Sequence, residues 1–297
     1  MASRVATLIA HPQGRALTSA LADAAVAASG GRALYWLADG IAADLPLPDG
    51  PSDAEIDGAI RAALATRPID VAIQPVEGRR KRLLIADMDS TMIEQECIDE
   101  LAAEAGRGEE VAKVTAAAMR GEIPFDRALR DRVGTLRGLE TSVVDRVLAE
   151  RTTPRAGGHE LLATMRANGA YTMLVSGGFT AFTGPIAERL GFHENRANEL
   201  LTSEGRFTGE AREPILGRDA KLVALREACE RLGLIDEDVL AVGDGANDGE
   251  MVAAAGLGVA LHAKPALVER ANARIDHGDL TALLYLQGYR HDEFVAR

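Results

Sequence analysis

Two short acidic motifs, far apart in the sequence, each directly follow a run of apolar residues. The sequence DMD at 87–89 comes after the run 83–86, and GDGAND at 243–248 comes after the run 239–242. Uninterrupted apolar runs are typical of strands buried on both faces of a parallel sheet. Because ligands bind beyond the carboxyl ends of such strands, we expect both motifs at one edge of an α/β sheet. Burying four carboxylates there without a cation would be strongly unfavourable in free energy. The motifs therefore predict a Mg²⁺ site that binds and transforms a phosphate group.

The composition supports a helix-rich α/β protein. The 297 residues allow one large domain and a second small module, and 47% apolar with only 4% aromatic residues suits helices covering a sheet. A net charge of −12 excludes nonspecific attraction to nucleic acid or anionic lipid. Cys97 and Cys229 lack metal-type spacing and are interpreted as packing residues. With no long apolar stretch, we expect a cytoplasmic protein without membrane or nucleic-acid partners.

The N-terminal part, residues 1 to about 78, reads as a small α+β domain. Its pattern predicts the order βαββαβ, which gives a split βαβ sandwich, with Ser52 as the N-cap of the second helix. A basic run at 79–82 marks the join to the main domain, 79–297. We interpret this run as a solvated boundary rather than a nucleic-acid-binding patch.

The main domain combines a parallel sheet with a helical insertion. Apolar residues from 92 to about 151 recur at three- and four-residue intervals, which predicts an inserted helical segment. Alternating strands and helices then resume with a strand at 171–175 that ends in Ser176. A hairpin is predicted around Glu204-Gly205, and a helix over 219–232.

Asp87 and Asp89 are the predicted catalytic pair. Asp87 would attack phosphorus, while Asp89 would protonate the leaving alcohol and later deprotonate water. At 4 Å and an effective dielectric of about 20, repulsion between a carboxylate and a phosphate dianion costs about 8 kcal/mol. A cation and a lysine are therefore needed, and the predicted metal ligands are Asp87, Asp89 and Asp244.

Further residues are candidates for binding the phosphate oxygens. The segment Ser176-Gly177-Gly178 precedes a predicted helix, where a hydroxyl and backbone amides suit an anion. Lys221, near the start of a later helix, and Asn247 could bind the same oxygens. Asp248 would support the site by holding metal-bound waters or Lys221.

In these motifs the chain resembles the haloacid dehalogenase superfamily of phosphohydrolases, from about Lys81 onwards. The resemblance rests on DMDST at 87–91, SGGF at 176–179, Lys221 and GDGAND at 243–248. It implies an α/β Rossmannoid parallel sheet with a helical cap and Mg²⁺ as the cofactor.

Two more stretches, 89–101 and 119–133, are similar to the phosphoserine phosphatase family within this superfamily. They imply that Glu96 contacts the substrate ammonium group and that Arg132 binds its carboxylate. Met119 and Phe125 would form an apolar cover over the site. The resemblance implies conversion of O-phospho-L-serine to L-serine and phosphate, the last step of L-serine biosynthesis.

Other interpretations remain open from the sequence. The substrate could be another small phosphomonoester, such as phosphohomoserine, or the chain could be an amino-acid sensor or a phosphorylatable receiver. The N-terminal domain resembles ACT-like amino-acid-binding modules, and both serine sensing and a homodimer contact are hypotheses for it.

Overall fold

The computed structural model describes residues 3–119, 122–217 and 219–295. Tertiary packing divides the chain into two compact units. The first comprises Met1–Leu84, Ala156–Tyr171 and Cys229–Arg297, and the second comprises Ile85–Arg155 and Thr172–Ala228.

The chain begins, in the first unit, with a four-stranded antiparallel sheet and two helices. The elements are β1 Arg4–Ala10, α1 Ser19–Ser29, β2 Tyr35–Ala38, β3 Ala42–Pro46, α2 Asp53–Leu64 and β4 Ile69–Pro75. The strand order is β2-β3-β1-β4, and all neighbouring strands are antiparallel. The observed βαββαβ order is the one that the sequence predicts.

Local sequence signals explain where these two helices begin. Ser52 and Glu55 form a capping box at α2, because each side chain accepts a hydrogen bond from the backbone N–H of the other residue. Thr18 caps α1 by accepting from the N–H of Leu21. Apolar side chains of the helices and of one sheet face then form a core, which includes Leu8, Leu45, Ile60 and Val71.

The remainder of the chain forms helices and mostly parallel strands. In order they are β5 Leu83–Ala86, α3 Cys97–Glu104, α4 Gly108–Met119, α5 Phe125–Gly134, α6 Val143–Glu150, α7 Gly158–Ala167, β6 Tyr171–Phe179, α8 Thr180–Leu190, β7 Glu194–Asn198, β8 Leu200–Ser203, β9 Arg206–Ala211, α9 Asp219–Leu232, β10 Val239–Gly243, α10 Gly249–Ala254, β11 Leu257–Leu261, α11 Pro265–Val268, β12 Ala273–Ile275 and α12 Ala282–Leu286. Helices α3 to α6 fill the stretch in which the sequence predicts a helical insertion, and β8 and β9 pair as the predicted hairpin.

Six strands form a parallel sheet with the order β12-β11-β10-β5-β6-β7. All residues of β5, β10 and β11 are buried, as their uninterrupted apolar sequences predict. The predicted parallel α/β sheet with an inserted helical segment is therefore confirmed. Among the residues that the structure describes, no helix is both long enough and apolar enough to cross a membrane.

Strand β6 is longer than the sequence predicts. It continues beyond Val175 to Phe179, so Ser176 lies within the strand rather than after it. The pairing with β7 shifts register between Val175 and Phe179. Gly177 and Gly178 carry no side chains, and a Cβ on Gly178 would lie 3.1 Å from an Asp89 carboxylate oxygen. The two glycines thus allow the strand to run on past a carboxylate that a side chain would crowd.

The basic run at 79–82 is not simply a solvated boundary, because Arg79 is half-buried and its side chain is only 10% exposed. Its guanidinium group binds both carboxylate oxygens of Asp44, at 2.6 and 3.1 Å, and donates to the Thr7 hydroxyl at 3.0 Å. It also donates to the carbonyls of Tyr285 and Leu286. The interpretation as a solvated residue was wrong for Arg79, since a carboxylate buried on β3 requires a cationic partner, whereas Arg80 and Arg82 are exposed.

Candidate active site

The segment after β5 leaves the sheet in an irregular turn. The Asp87 side chain accepts a hydrogen bond from the N–H of Met88 at 2.8 Å, and the next turn, 88–92, is not a regular helix. Asp89 has an extended conformation, and Ser90 has φ 56° and ψ 2°, in the left-handed region that non-glycine residues rarely adopt. The turn points the carboxylates of Asp87 and Asp89 to different partners.

Asp87 forms a buried ion pair with Lys221 of α9. The Lys221 Nζ lies 2.7 Å from Asp87 Oδ1, and the two residues are only 3% and 4% exposed. A lysine is buried at this depth only when its charge is compensated. The predicted phosphate-binding lysine and the predicted nucleophile are therefore in direct contact.

Asp89 lies in a different hydrogen-bonding environment. Its carboxylate accepts from the backbone N–H of Cys97 at 2.9 Å and from the Ser176 hydroxyl at 3.2 Å. Desolvation raises the pKa of Asp89, and these hydrogen bonds together with the charge of Lys221 oppose that rise. The net shift favours the protonated acid more than in an exposed aspartate.

The second acidic motif forms a tight turn after β10. The Asp248 carboxylate accepts from the backbone N–H groups of Asp244 and Gly245, at 3.2 and 3.0 Å. A Cβ at position 243 would lie 2.4 Å from the Asp248 carboxyl group, so only glycine fits there. Lys264 contacts Asp244 twice, through its backbone N–H on the Asp244 carbonyl and through its Nζ at 3.6 Å from the carboxylate.

Three buried carboxylates form a group that fits a divalent cation. One oxygen of each of Asp87, Asp244 and Asp248 lies within 4.8 Å of the other two. Hard cations such as Mg²⁺ are bound by carboxylate oxygens in groups of this kind. The side chain of Asp89, a predicted metal ligand, is not in this group, whereas that of Asp248 is.

The predicted substrate-binding residues of the helical insertion lie near Asp89. Glu96 is the N-cap residue that directly precedes α3, and its carboxylate accepts from the Ser90 hydroxyl at 2.8 Å. Burial lowers the pKa of Arg132 on α5, and the negative charges of Asp99, Glu96 and Asp89 counteract this shift. Asp99 lies within the stretch 89–101 but is not among the predicted site residues, and its charge interaction with Arg132 is what distinguishes it.

A cavity of about 590 Å³ lies beside Ser176, Gly177 and Lys221. The Gly177 carbonyl is fixed by a hydrogen bond from the Asn198 side chain at 2.9 Å. Asn247 is half-buried on the turn that carries Asp248. The side chains of Met119 and Phe125, the predicted apolar cover, lie outside the part of the chain that the structure describes.

Comparison with known proteins identifies the class of this fold and site. The profile of the haloacid dehalogenase-like hydrolases matches residues 84–253. The chain therefore belongs to the haloacid dehalogenase-like hydrolase family, and the resemblance predicted from its motifs is confirmed.

Individual relatives extend this result. A phosphoserine phosphatase of Streptomyces coelicolor is 43% identical over 80% of this chain, which spans 59% of that relative's length. The crystal structure of a haloacid dehalogenase family hydrolase of Salmonella enterica serovar Typhi covers 98% of this chain and 99% of its own, with a TM-score of 0.83 and 26% identity. A phospho-aspartyl intermediate analogue of phosphoserine phosphatase covers 69% of this chain and 98% of its own, with a TM-score of 0.65 and 39% identity.

Proposed function

We propose that this chain is a Mg²⁺-dependent phosphatase that converts O-phospho-L-serine to L-serine and inorganic phosphate in the cytoplasm, as the last step of L-serine biosynthesis. The observation that carries the proposal is the group of buried carboxylates of Asp87, Asp244 and Asp248, with Lys221 bonded to Asp87. Similarity to the phosphoserine phosphatase of Streptomyces coelicolor supports the choice of substrate.

Asp87 is the proposed nucleophile. Its carboxylate oxygen forms a bond to phosphorus while the bond from phosphorus to the serine oxygen breaks, giving an aspartyl phosphate. Similarity to a solved phospho-aspartyl intermediate analogue of phosphoserine phosphatase supports this route. Lys221 reduces the repulsion between Asp87 and the phosphate. A bound Mg²⁺, held by Asp87, Asp244 and Asp248, would supply further charge neutralisation.

Asp89 is the proposed acid and base. It donates its proton to the serine oxygen as the ester bond breaks, and it then accepts a proton from the water that attacks phosphorus. The water oxygen bonds to phosphorus, the bond to Asp87 breaks, and inorganic phosphate leaves. The raised pKa of Asp89 suits the first of these steps, because the carboxyl group must begin it protonated.

The remaining contacts define the proposed substrate site. Ser176, Gly177, Lys221 and Asn247 would bind phosphate oxygens, with Gly178 allowing close approach. The carboxylate of phosphoserine would bind Arg132 and its ammonium group would bind Glu96, which match these charges. Arg132 lies among the acidic groups Asp99, Glu96 and Asp89. It would therefore be the cation of this region that binds the substrate carboxylate.

Phosphate release from a panel of esters tests the proposal. The metal-free protein is supplied with L-phosphoserine, phosphohomoserine and an aryl phosphate, each with and without Mg²⁺. We expect Mg²⁺-dependent release that is fastest from L-phosphoserine. Faster release from phosphohomoserine would replace the substrate but keep the mechanism. No release from any ester, or full activity without a divalent cation, would contradict the proposed function.

A further inference from the structure

Arg155 contacts three consecutive carbonyls of the segment that follows Asp89. Its Nε donates to the carbonyl of Thr91 at 2.9 Å, and its Nη2 donates to the carbonyl of Ser90 at 2.8 Å. Its backbone N–H donates to the carbonyl of Met92 at 2.9 Å. Arg155 lies outside every motif in the sequence, at the end of the helical insertion.

The segment 90–92 needs such a partner because its own backbone is irregular. Ser90 has a left-handed conformation with φ 56°, which is unfavourable for a residue with a side chain. Thr91 and Met92 are buried, and a buried carbonyl without a hydrogen bond is unfavourable. The guanidinium group is planar and carries several donors in fixed directions, so it can hold neighbouring carbonyls in one arrangement.

Further hydrogen bonds join the segments through which the chain enters and leaves the helical insertion. The N–H of Glu94 donates to the carbonyl of Thr153 at 3.0 Å, and Ile93 forms an isolated bridge with Pro154. The Gln95 carboxamide oxygen accepts from the N–H of Thr153 at 2.8 Å. Arg155 is therefore part of a continuous contact between residues 90–95 and 153–155.

We propose that Arg155 is a positioning residue for the proton transfer assigned to Asp89. By holding the carbonyls of Ser90, Thr91 and Met92, it fixes the backbone directly after Asp89 and thereby the direction of that carboxylate. Arg155 does not touch the reacting atoms. The inference rests on the proposed function, because it assumes that Asp89 protonates the leaving group.

The leaving group of the substrate separates this role from a merely structural one. An alkyl ester such as L-phosphoserine needs a proton on its leaving oxygen, whereas p-nitrophenolate leaves as a stable anion. The ratio kcat/KM reports the steps up to formation of the phosphoenzyme, so it excludes the later attack of water. Misplacement of the acid should therefore lower kcat/KM for phosphoserine far more than for p-nitrophenyl phosphate.

The experiment compares Arg155→Met and Arg155→Lys with the unchanged protein on both esters. General acid catalysis contributes about 10²- to 10⁴-fold, so we expect kcat/KM for phosphoserine to fall by at least about 30-fold in Arg155→Met and that for p-nitrophenyl phosphate by less than about 3-fold. Arg155→Lys, which keeps one cationic donor group, should lose less. Equal losses on the two esters, or no loss on either, would overturn the inference.

Arg206→Met is the matched control variant. Arg206 also donates to a backbone carbonyl, that of Gly138 at 2.8 Å, but it lies on β9 and is exposed. The Arg206→Met substitution should leave both kcat/KM values unchanged. If the unchanged protein does not hydrolyse phosphoserine, the proposed function is contradicted, but the role of Arg155 can still be tested. Glycerol 2-phosphate then serves as the alkyl ester, and equal losses of kcat/KM on it and on p-nitrophenyl phosphate would still overturn the role of Arg155.

Discussion

Selectivity for the substrate carboxylate depends, in this account, on Arg132. Replacing Arg132 with alanine removes a hydrogen bond between charged groups, which contributes about 1.5–3 kcal/mol. We expect KM for L-phosphoserine to rise about 10- to 100-fold, and KM for p-nitrophenyl phosphate, which has no carboxylate, to change by less than about 3-fold. Steady-state kinetics on the two esters measures this difference.

Arg130 provides the control for this prediction. It lies on the same helix, α5, but is exposed and bound to Glu213 at 2.8 and 3.1 Å. Arg130→Ala should leave both KM values unchanged. A similar rise in KM for both esters in the Arg132→Ala variant would remove Arg132 from the carboxylate-binding role.

The sequence patterns indicated the location of several residues near the site. They did not indicate which groups each of these residues contacts. Asp87 and Lys221 could be placed because strand ends and helix starts meet at one edge of a parallel sheet. The presence of Asp248 in the carboxylate group, rather than Asp89, could not be predicted, because it depends on how two distant turns fold against each other. Arg155 was missed because its partners are backbone carbonyls, which leave no signature in the sequence.

Among the secondary-structure elements, α2 allows a direct test of a sequence-encoded helix start. Ser52→Ala removes the Oγ that accepts from the N–H of Glu55 and should lower the free energy of unfolding by about 1 kcal/mol. Urea unfolding measures the change. Ser142→Ala is the control, because Ser142 precedes α6 without a side-chain capping bond and should cost much less. Equal effects of the two substitutions would contradict the capping argument.

Element boundaries were predicted well where local signals are strong. Helix α9 spans 219–232 as predicted, and the hairpin of β8 and β9 turns at Glu204-Gly205, where both residues have positive φ. Strand β6 was predicted too short, because a pair of glycines usually marks a loop. Beside this extension, a Cβ on Gly178 would lie 3.1 Å from the Asp89 carboxylate, a tertiary contact that no local pattern contains.

At the scale of the whole molecule, buried polar contacts tie the N-terminal sheet to the C-terminal segment within the first unit. Besides the contacts of Arg79, the Asp70 carboxylate accepts from the backbone N–H groups of Asp276, His277 and Gly278. The Gln74 side chain donates to the carbonyl of Leu286 at 2.6 Å. The predicted boundary near residue 78 therefore stays a prediction, as do serine sensing and dimerisation by the N-terminal domain.

Two adjacent arginines test the importance of this connection. Arg79→Met leaves Asp44 buried without its cation and should cost about 3–5 kcal/mol of unfolding free energy. Arg80 is half-exposed, pairs with Glu293 and stacks on Tyr289, so Arg80→Met should cost about 1 kcal/mol or less. Urea unfolding of both variants measures the difference. Equal costs would show that the buried pair does not stabilise the first unit as described.

The central claim is that Asp87 carries the phosphoryl group during turnover. Its most direct test is rapid quenching of the Mg²⁺-loaded protein with phosphoserine, followed by mass spectrometry of the peptide containing residue 87. The account predicts a phosphoryl group on Asp87 that forms and decays at rates consistent with kcat, and none in the Asp87→Asn variant. A phosphoryl group on another residue, or sustained turnover by Asp87→Asn, would contradict it.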